Sequence, residues 1–264
     1  MNQDVTQRPL SGKRIVITRA RSQAGELICE LEKLGAWCIE IPTIEIFPPE
    51  DIQPLKKALS SINDYDWVVF TSVNGVSFFF NTLYELKKGL RLSDGLKFAC
   101  TGPATEERLK EYGIISHIMP GSYSAEGLVK SFSGIEIKGK KVLLARAKAA
   151  RRILPEELSR MGAQVNEVIA YETRMNKDGQ GELTTHLTKN TINAITFTSS
   201  STVSSFMSQL GIEKAQDQLK HITTACIGPI TSATVKSYGI VPDVEAKEYT
   251  ISGLVNALLH HFLN

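Results

Sequence analysis

The chain has little of what would assign it quickly. No run of about eighteen apolar residues is present, so no segment reads as a transmembrane helix. The opening from Met1 to Gly12 is polar and lacks the apolar stretch of a secretory leader, which leaves the cytoplasm as the expected location. Charge is nearly balanced: 30 Lys and Arg against 28 Asp and Glu give a formal +2, so no whole-molecule field draws the chain to nucleic acid or to a membrane surface. Four cysteines, Cys29, Cys38, Cys100 and Cys226, show neither a CxxC nor a Cys/His spacing. They sit among apolar neighbours, so inert buried thiols are expected and a bound metal is not. GxGxxG, P-loop, HExxH and GxSxG patterns are missing, which removes the usual support for dinucleotide, nucleotide triphosphate, metalloprotease and serine hydrolase chemistry. What remains is ordinary globular composition, 42% hydrophobic over 264 residues. That is enough for one large domain or two of about 130 residues.

The most informative feature is an internal duplication. Slid by 127 positions, Gly12-Lys13-Arg14-Ile15-Val16-Ile17-Thr18-Arg19 falls on Gly139-Lys140-Lys141-Val142-Leu143-Leu144-Ala145-Arg146. Leu31, Gly35, Ala36, Glu40 and Glu45 recur as Leu158, Gly162, Ala163, Glu167 and Glu172, and Phe70-Thr71-Ser72 returns as Phe197-Thr198-Ser199. Beyond that the offset becomes 126, where Ala99-Cys100, Gly102-Pro103, Thr105 and Tyr112-Gly113-Ile114 match Ala225-Cys226, Gly228-Pro229, Thr231 and Tyr238-Gly239-Ile240. A period this long means two similar domains rather than a solenoid.

Within each half, short β-branched runs alternate with helical stretches. Strands are predicted at 15–18, 67–70 and 98–101, with helices at 24–34, 76–86 and 105–112, the first closed by Gly35 and the last by Gly113. This alternation, with strands apolar on both faces, predicts an α/β protein with parallel sheets covered by helices. The stretch 41–47 alternates more openly and ends at Pro48-Pro49; with its mate at 168–173 it reads as a pair of linker strands.

In parallel sheets ligands gather at the carboxyl ends of strands, where helix N-termini offer free N–H groups to anions. Polar residues recur at those ends: Ser72 and Asn74 in one turn, Thr198, Ser199 and Ser200 in its mate, and Gly102 with Thr105 opposite Gly228 with Thr231. Helix capping by the hydroxyls is the plainer explanation and is equally compatible with the pattern. Arg19 and Arg146 close the first strand of each half, with Arg151 nearby; a guanidinium fork suits carboxylates, and a solvated basic edge is the alternative. The five histidines lie outside the repeated turns. Tyr171 breaks the repeat, because its mate is Ile44, so shared core packing does not explain it; its phenol could donate a hydrogen bond or proton, or simply pack.

Taken in order, Ile17-Thr18-Arg19, Phe70-Thr71-Ser72-Val73-Asn74-Gly75-Val76, Gly102-Pro103-Ala104-Thr105, Tyr123-Ser124-Ala125-Glu126-Gly127-Leu128, Val168-Ile169-Ala170-Tyr171, Phe197-Thr198-Ser199-Ser200 and Ile227-Gly228-Pro229 resemble the uroporphyrinogen-III synthase family over nearly the whole chain. The resemblance implies a monomeric, cytoplasmic, cofactor-free lyase of tetrapyrrole synthesis. Such an enzyme takes the small molecule hydroxymethylbilane, supplied by the preceding pathway enzyme, and closes it to uroporphyrinogen III with ring D inverted through a spiro intermediate. It implies two flavodoxin-like α/β/α domains with their first strand–helix units exchanged. One would contain residues 1–42 and 174–264, the other 51–165, joined by a two-stranded linker at 43–50 and 166–173, with the substrate cleft between the domains.

By the same resemblance Tyr171 assists loss of hydroxide. Ser72, Asn74, Gly102, Thr105, Ser124, Thr198, Ser199, Ser200 and Thr231 line the site, and Arg19, Arg146 and Arg151 meet the substrate's carboxylate arms. The chain departs from the family after Arg146, where Ala147-Lys148-Ala149-Ala150 stands in place of glycines. The competing expectation from the same turns and hinge is a non-catalytic two-lobed sensor closing on a small anion.

Overall fold

The computed structural model describes residues 8–86 and 91–264; Met1–Gln7, part of the polar opening, lie outside the described residues. Along the chain run β1 (Arg14–Ile17), α1 (Arg21–Lys33), β2 (Trp37–Glu40), β3 (Ile44–Phe47), α2 (Gln53–Ser60), β4 (Trp67–Phe70), α3 (Val73–Leu86), β5 (Lys97–Cys100), α4 (Pro103–Lys110) and α5 (Ala125–Phe132). There follow β6 (Lys141–Ala147), α6 (Ile153–Arg160), β7 (Gln164–Met175), α7 (Gln180–Thr188), β8 (Ala194–Phe197), α8 (Ser200–Leu210), α9 (Ile212–Leu219), β9 (Thr223–Cys226), α10 (Pro229–Ser237), β10 (Val244–Glu245) and α11 (Ile251–Leu263). Two compact units result, Met1–Glu45 with Arg174–Asn264 and Ile46–Thr173.

Each sequence pattern has a local cause. Trp-Val-Val-Phe in β4 and Ala-Ile-Thr-Phe in β8 are buried at every position, as strands with helices on both faces must be. Trp37–Glu40 buries only Ile39 and forms a sheet edge. In α1 the buried residues Ala24, Leu27 and Leu31 follow helical spacing, and Gly35 ends the helix at φ +91°, a left-handed conformation that favours glycine. Gly162 repeats it at φ +90° after α6. That spacing turns Cys29 outward, so the expectation of four buried thiols is corrected: Cys29 is exposed, Cys38 is half-buried, and Cys100 and Cys226 are buried. All four are free, and no cluster of metal-binding side chains occurs among the described residues.

The strands form two five-stranded sheets in the orders β10-β9-β8-β1-β2 and β3-β7-β6-β4-β5. Strand β1 runs parallel to β2 and β8, and β8 and β9 continue that sheet in parallel. In the other sheet β4 runs parallel to β5 and β6, and β6 parallel to β7. The first strand of the sequence therefore pairs with a strand from the second half, while β6, its duplicate, pairs with β4 from the first half. Apolar clusters lie on both faces of each sheet. Phe70, Phe79 and Phe98 pack on one face of the β4–β6 sheet, and Val69, Leu144 and Phe132 on the other; Phe197 and Phe206 pack opposite Ile17 and Leu254 in the second unit. Burying each such side chain stabilises the fold by roughly 1.5–3 kcal/mol.

No described helix is long and apolar enough to cross a membrane.

Candidate active site

The unit built on β4 and β6 brings three of the sequence-selected residues together. Ser72 follows β4, and its Oγ accepts a hydrogen bond from the Gly75 N–H at 3.1 Å, which caps the first turn of α3. The same Oγ accepts the Tyr171 O–H at 3.0 Å, and the Asn74 side chain also hydrogen-bonds the phenol. Glycine is required at 75 because a Cβ there would stand 2.9 Å from the Ala145 carbonyl oxygen of β6. Tyr171 is 7% exposed and stacks on Phe78, with centroids 6.0 Å apart and an interplanar angle of 16°.

Two features of β7 aim the tyrosine. The β6–β7 ladder slips between Arg146 and Ala147, so Arg146 faces Ile169 while Ala147 faces Tyr171, leaving Ala170 as the extra residue of a bulge. Beyond the bulge, the Lys148 N–H donates to the Tyr171 carbonyl at 3.1 Å. Burial pushes the phenol above its ordinary acidity range, opposed in part by the Ser72 and Asn74 hydrogen bonds. A phenol held neutral at pH 7 is a donor, and its chemistry here is to give a hydrogen bond or a proton, not to act as a base.

The mate of this turn is built differently. Ser199 caps α8 by accepting the Thr202 N–H at 3.3 Å, and Thr202 reaches back to the Ser199 N–H in a capping box. Ser199 Oγ also lies 2.9 Å from Ser201 Oγ, and Ser200 Oγ approaches Thr234 and the Ile230 carbonyl of α10. Thr198 is half-buried at the end of β8. Thr105 and Thr231 are both buried in the first turns of α4 and α10, behind Gly102 and Gly228. Ser124 caps α5 by accepting the Gly127 N–H at 3.0 Å.

The three arginines have distinct fates. Arg19, half-buried after β1, reaches Gln23 Oε1 through Nε at 3.4 Å and makes no ion pair among the described residues. Burial lowers its pKa, opposed by the nearby Glu26. Arg146 is only 3% exposed: it donates to the Ala150 carbonyl, and its Nε stands 3.3 Å from Glu167 Oε1 in an ion pair that lacks hydrogen-bond geometry. Arg151 grips Glu126 with both guanidinium ends, at 2.6 and 3.2 Å. Arg146 and Arg151 are thus committed to the chain itself, and Arg19 alone of the three makes no ion pair among the described residues.

Sequence reasoning met Lys148 only in the loop after Arg146 and Glu172 only as the mate of Glu45, and gave neither a place in the site. Glu172 follows Tyr171 and is buried; its Oε1 accepts from Lys148 Nζ and from the Glu50 N–H, both at 3.1 Å. The recurrence of Glu45 as Glu172 was the only signal, and it does not distinguish the exposed copy from the buried one.

Comparison with known proteins gives the family. A family model described as uroporphyrinogen-III synthase HemD matches residues 25–256. This chain belongs to the uroporphyrinogen-III synthase family. It is 34% identical over 260 residues to the uroporphyrinogen-III synthase of Synechococcus elongatus, covering 96% of this chain and 97% of that one. The uroporphyrinogen-III synthase of Chlorobaculum parvum is 26% identical, with 88% and 92% covered. Among solved structures, a mutant uroporphyrinogen III synthase from Thermus thermophilus superposes with a TM-score of 0.70 over 95% of this chain and 99% of that one; at 16% identity this likeness speaks for the fold alone. Family membership places the chain among enzymes of tetrapyrrole synthesis and does not favour a non-catalytic sensor.

Proposed function

We propose that this chain cyclises hydroxymethylbilane to uroporphyrinogen III, expelling water and inverting ring D, and so acts as a hydro-lyase of haem biosynthesis. Family membership supplies the reaction class. The observation that carries the site is the Tyr171 phenol, nearly buried, kept protonated, and bonded to the cap of the α3 turn.

The reaction asks for donors and positioning more than for a strong nucleophile. The ring A hydroxyl leaves as water with a proton from Tyr171 O–H, the pyrrole N–H proton is released, and an azafulvene remains. Ring D attacks through its substituted carbon to give a spiro intermediate, and fragmentation and reclosure leave the ring inverted. Proton return to Tyr171 restores the starting state. Ser72 and Asn74 hold the phenol for that transfer. Hydroxyls and backbone amides at Gly102, Thr105 and Ser124 in one unit, and at Thr198, Ser199, Ser200 and Thr231 in the other, receive the acetate and propionate arms together with Arg19. Arg146 and Arg151 shape the loop after β6 in this scheme and do not meet substrate.

We read each unit as a flavodoxin-like α/β/α domain with the first strand–helix units, β1–α1 and β6–α6, exchanged, the segments 43–50 and 166–173 being the two-stranded linker. The strand pairings support the exchange, and family membership is the ground for extending the reading to a cytoplasmic monomer without cofactor, handed its substrate by the preceding enzyme. The test is isomer analysis: hydroxymethylbilane is generated in place, the protein is added, the product is oxidised, and uroporphyrins I and III are separated. Predominant III is expected. Isomer I alone from folded protein would overturn the proposal.

A further inference from the structure

We propose that Tyr123 and Tyr249 form a matched pair of aromatic platforms, one in each unit, against which pyrrole rings of the substrate lie. The inference rests on the proposed function and adds two substrate-binding residues to it. At the offset of 126, Tyr123-Ser124 falls on Tyr249-Thr250 and Gly127 on Gly253. The duplicated segments are built alike. Ser124 and Thr250 each accept the N–H of the glycine three residues on, both at 3.0 Å.

Each tyrosine covers a glycine at the carboxyl end of a strand. A Cβ on Gly102, just past β5, would meet Tyr123 Cβ at 3.2 Å and Cγ at 3.3 Å; a Cβ on Gly228, just past β9, would meet Tyr249 Cδ1 at 2.9 Å. Both glycines are extended, with φ −177° and 171°, so the crowding comes from the tyrosine and not from an unusual backbone: a Cβ would press tightly on Tyr123 at Gly102 and would require the Tyr249 ring to move at Gly228. Yet neither tyrosine is core: Tyr123 is 43% exposed and Tyr249 48%, and neither hydroxyl has a hydrogen-bond partner among the described residues. Two large aromatic rings are therefore pinned on one side to a Gly-Pro turn and open on the other, at the rim where ligands of parallel sheets bind.

A flexible chain of four pyrroles matches such surfaces. Pyrrole faces stack on a phenol ring, pyrrole N–H groups can point into its π cloud, and the phenol edge stays free to meet water or a carboxylate arm. The amides of the adjoining helix starts lie in the same unit for those arms. A tyrosine serving only to roof the turn would influence unfolding and leave substrate affinity alone.

The experiment measures KM, kcat, thermal unfolding and the I:III product ratio for Tyr123→Leu, Tyr249→Leu, their double variant, and the two Tyr→Phe variants. Leucine keeps an apolar roof over each glycine and removes the aromatic face; Tyr→Ala serves the same purpose where leucine perturbs folding. Each Leu variant is expected to raise KM about tenfold with kcat within about twofold. The effects multiply in the double variant. The Phe variants stay near wild type. More isomer I at low substrate accompanies the KM rise, because unbound bilane closes by itself. Leu variants with wild-type KM, beside a wild-type protein that makes isomer III, would overturn the platforms while leaving the proposed function intact. A loss confined to kcat and unfolding temperature would overturn them as well. Isomer I alone from folded wild type would overturn both.

Discussion

The turn after β4 and the turn after β8 descend from one repeated sequence, yet they are completed by different partners. Ser72 and Ser199 both cap a helix, but Ser72 also accepts the Tyr171 phenol, whereas Ser199 closes a local capping box with Thr202. The same divergence runs through the neighbouring pairs. Arg146 is buried against Ala150 and Glu167 while Arg19 makes no ion pair among the described residues; Glu172 is buried on Lys148 while Glu45 is exposed; Tyr171 stands where the other half has Ile44. The duplicated scaffold presents donors at strand ends in both units. In the unit 46–173, built from parts of both repeats, they gather around a phenol; in the other unit the plain cap stands with an arginine that makes no ion pair among the described residues.

The largest effect that would sharpen this contrast is on stability. Arg146→Met removes a buried cation from the Ala150 carbonyl and Glu167, and should destabilise by about 3 kcal/mol. Arg19→Gln breaks no ion pair among the described residues and should cost no more than about 1 kcal/mol, while raising KM several-fold. Denaturant unfolding and steady-state kinetics on the pair decide this, and equal destabilisation would erase the distinction.

Next in size is Tyr171→Phe. It should lower kcat about tenfold, close to 1.4 kcal/mol of barrier, with KM little changed, since positioning retains most of the catalysis. Unchanged turnover would remove the donor role.

Ser72→Ala and Ser199→Ala should each cost about 1 kcal/mol of stability through the lost cap. Only Ser72→Ala should slow turnover as well, because it alone touches Tyr171. Parallel losses of kcat in both would show the turns to be equivalent.

The smallest expected effect is with pH. The folded state holds the Tyr171 proton more tightly than the unfolded chain does. Its share of stability is therefore complete below the ordinary tyrosine value of about 10 and is lost only as pH rises beyond that. A protonated donor predicts a kcat that does not fall on this account up to about pH 9; an alkaline limb abolished by Tyr171→Phe and centred below that would contradict it.

Much of the fold was legible because it rests on local pattern. The continuous apolar run Trp67–Phe70 is β4, and the helix read from 76 begins only three residues earlier, at Val73, where the Ser72 cap sets its start. Strand β2 escaped notice, since Trp37-Cys38-Ile39-Glu40 turns only Ile39 inward and its pairing depends on β1. The site was legible where it broke the repeat, as Tyr171 does. It was illegible where it depends on partners far along the chain: nothing near Tyr171 names Ser72, and nothing near Arg151 names Glu126. The outward Cys29 and the inward Arg146 share that cause, for burial is decided by the face an element presents and by what packs against it.

The most direct test of the unit gathered around the phenol is a double-mutant cycle on the rate of isomer III formation, using Tyr171→Phe, Ser72→Ala and the pair together. If the phenol acts from its seat on Ser72, the double variant will be no slower than the slower single variant. If the two losses multiply, Tyr171 and Ser72 act independently, and the duplicated turn has not been rebuilt around the phenol.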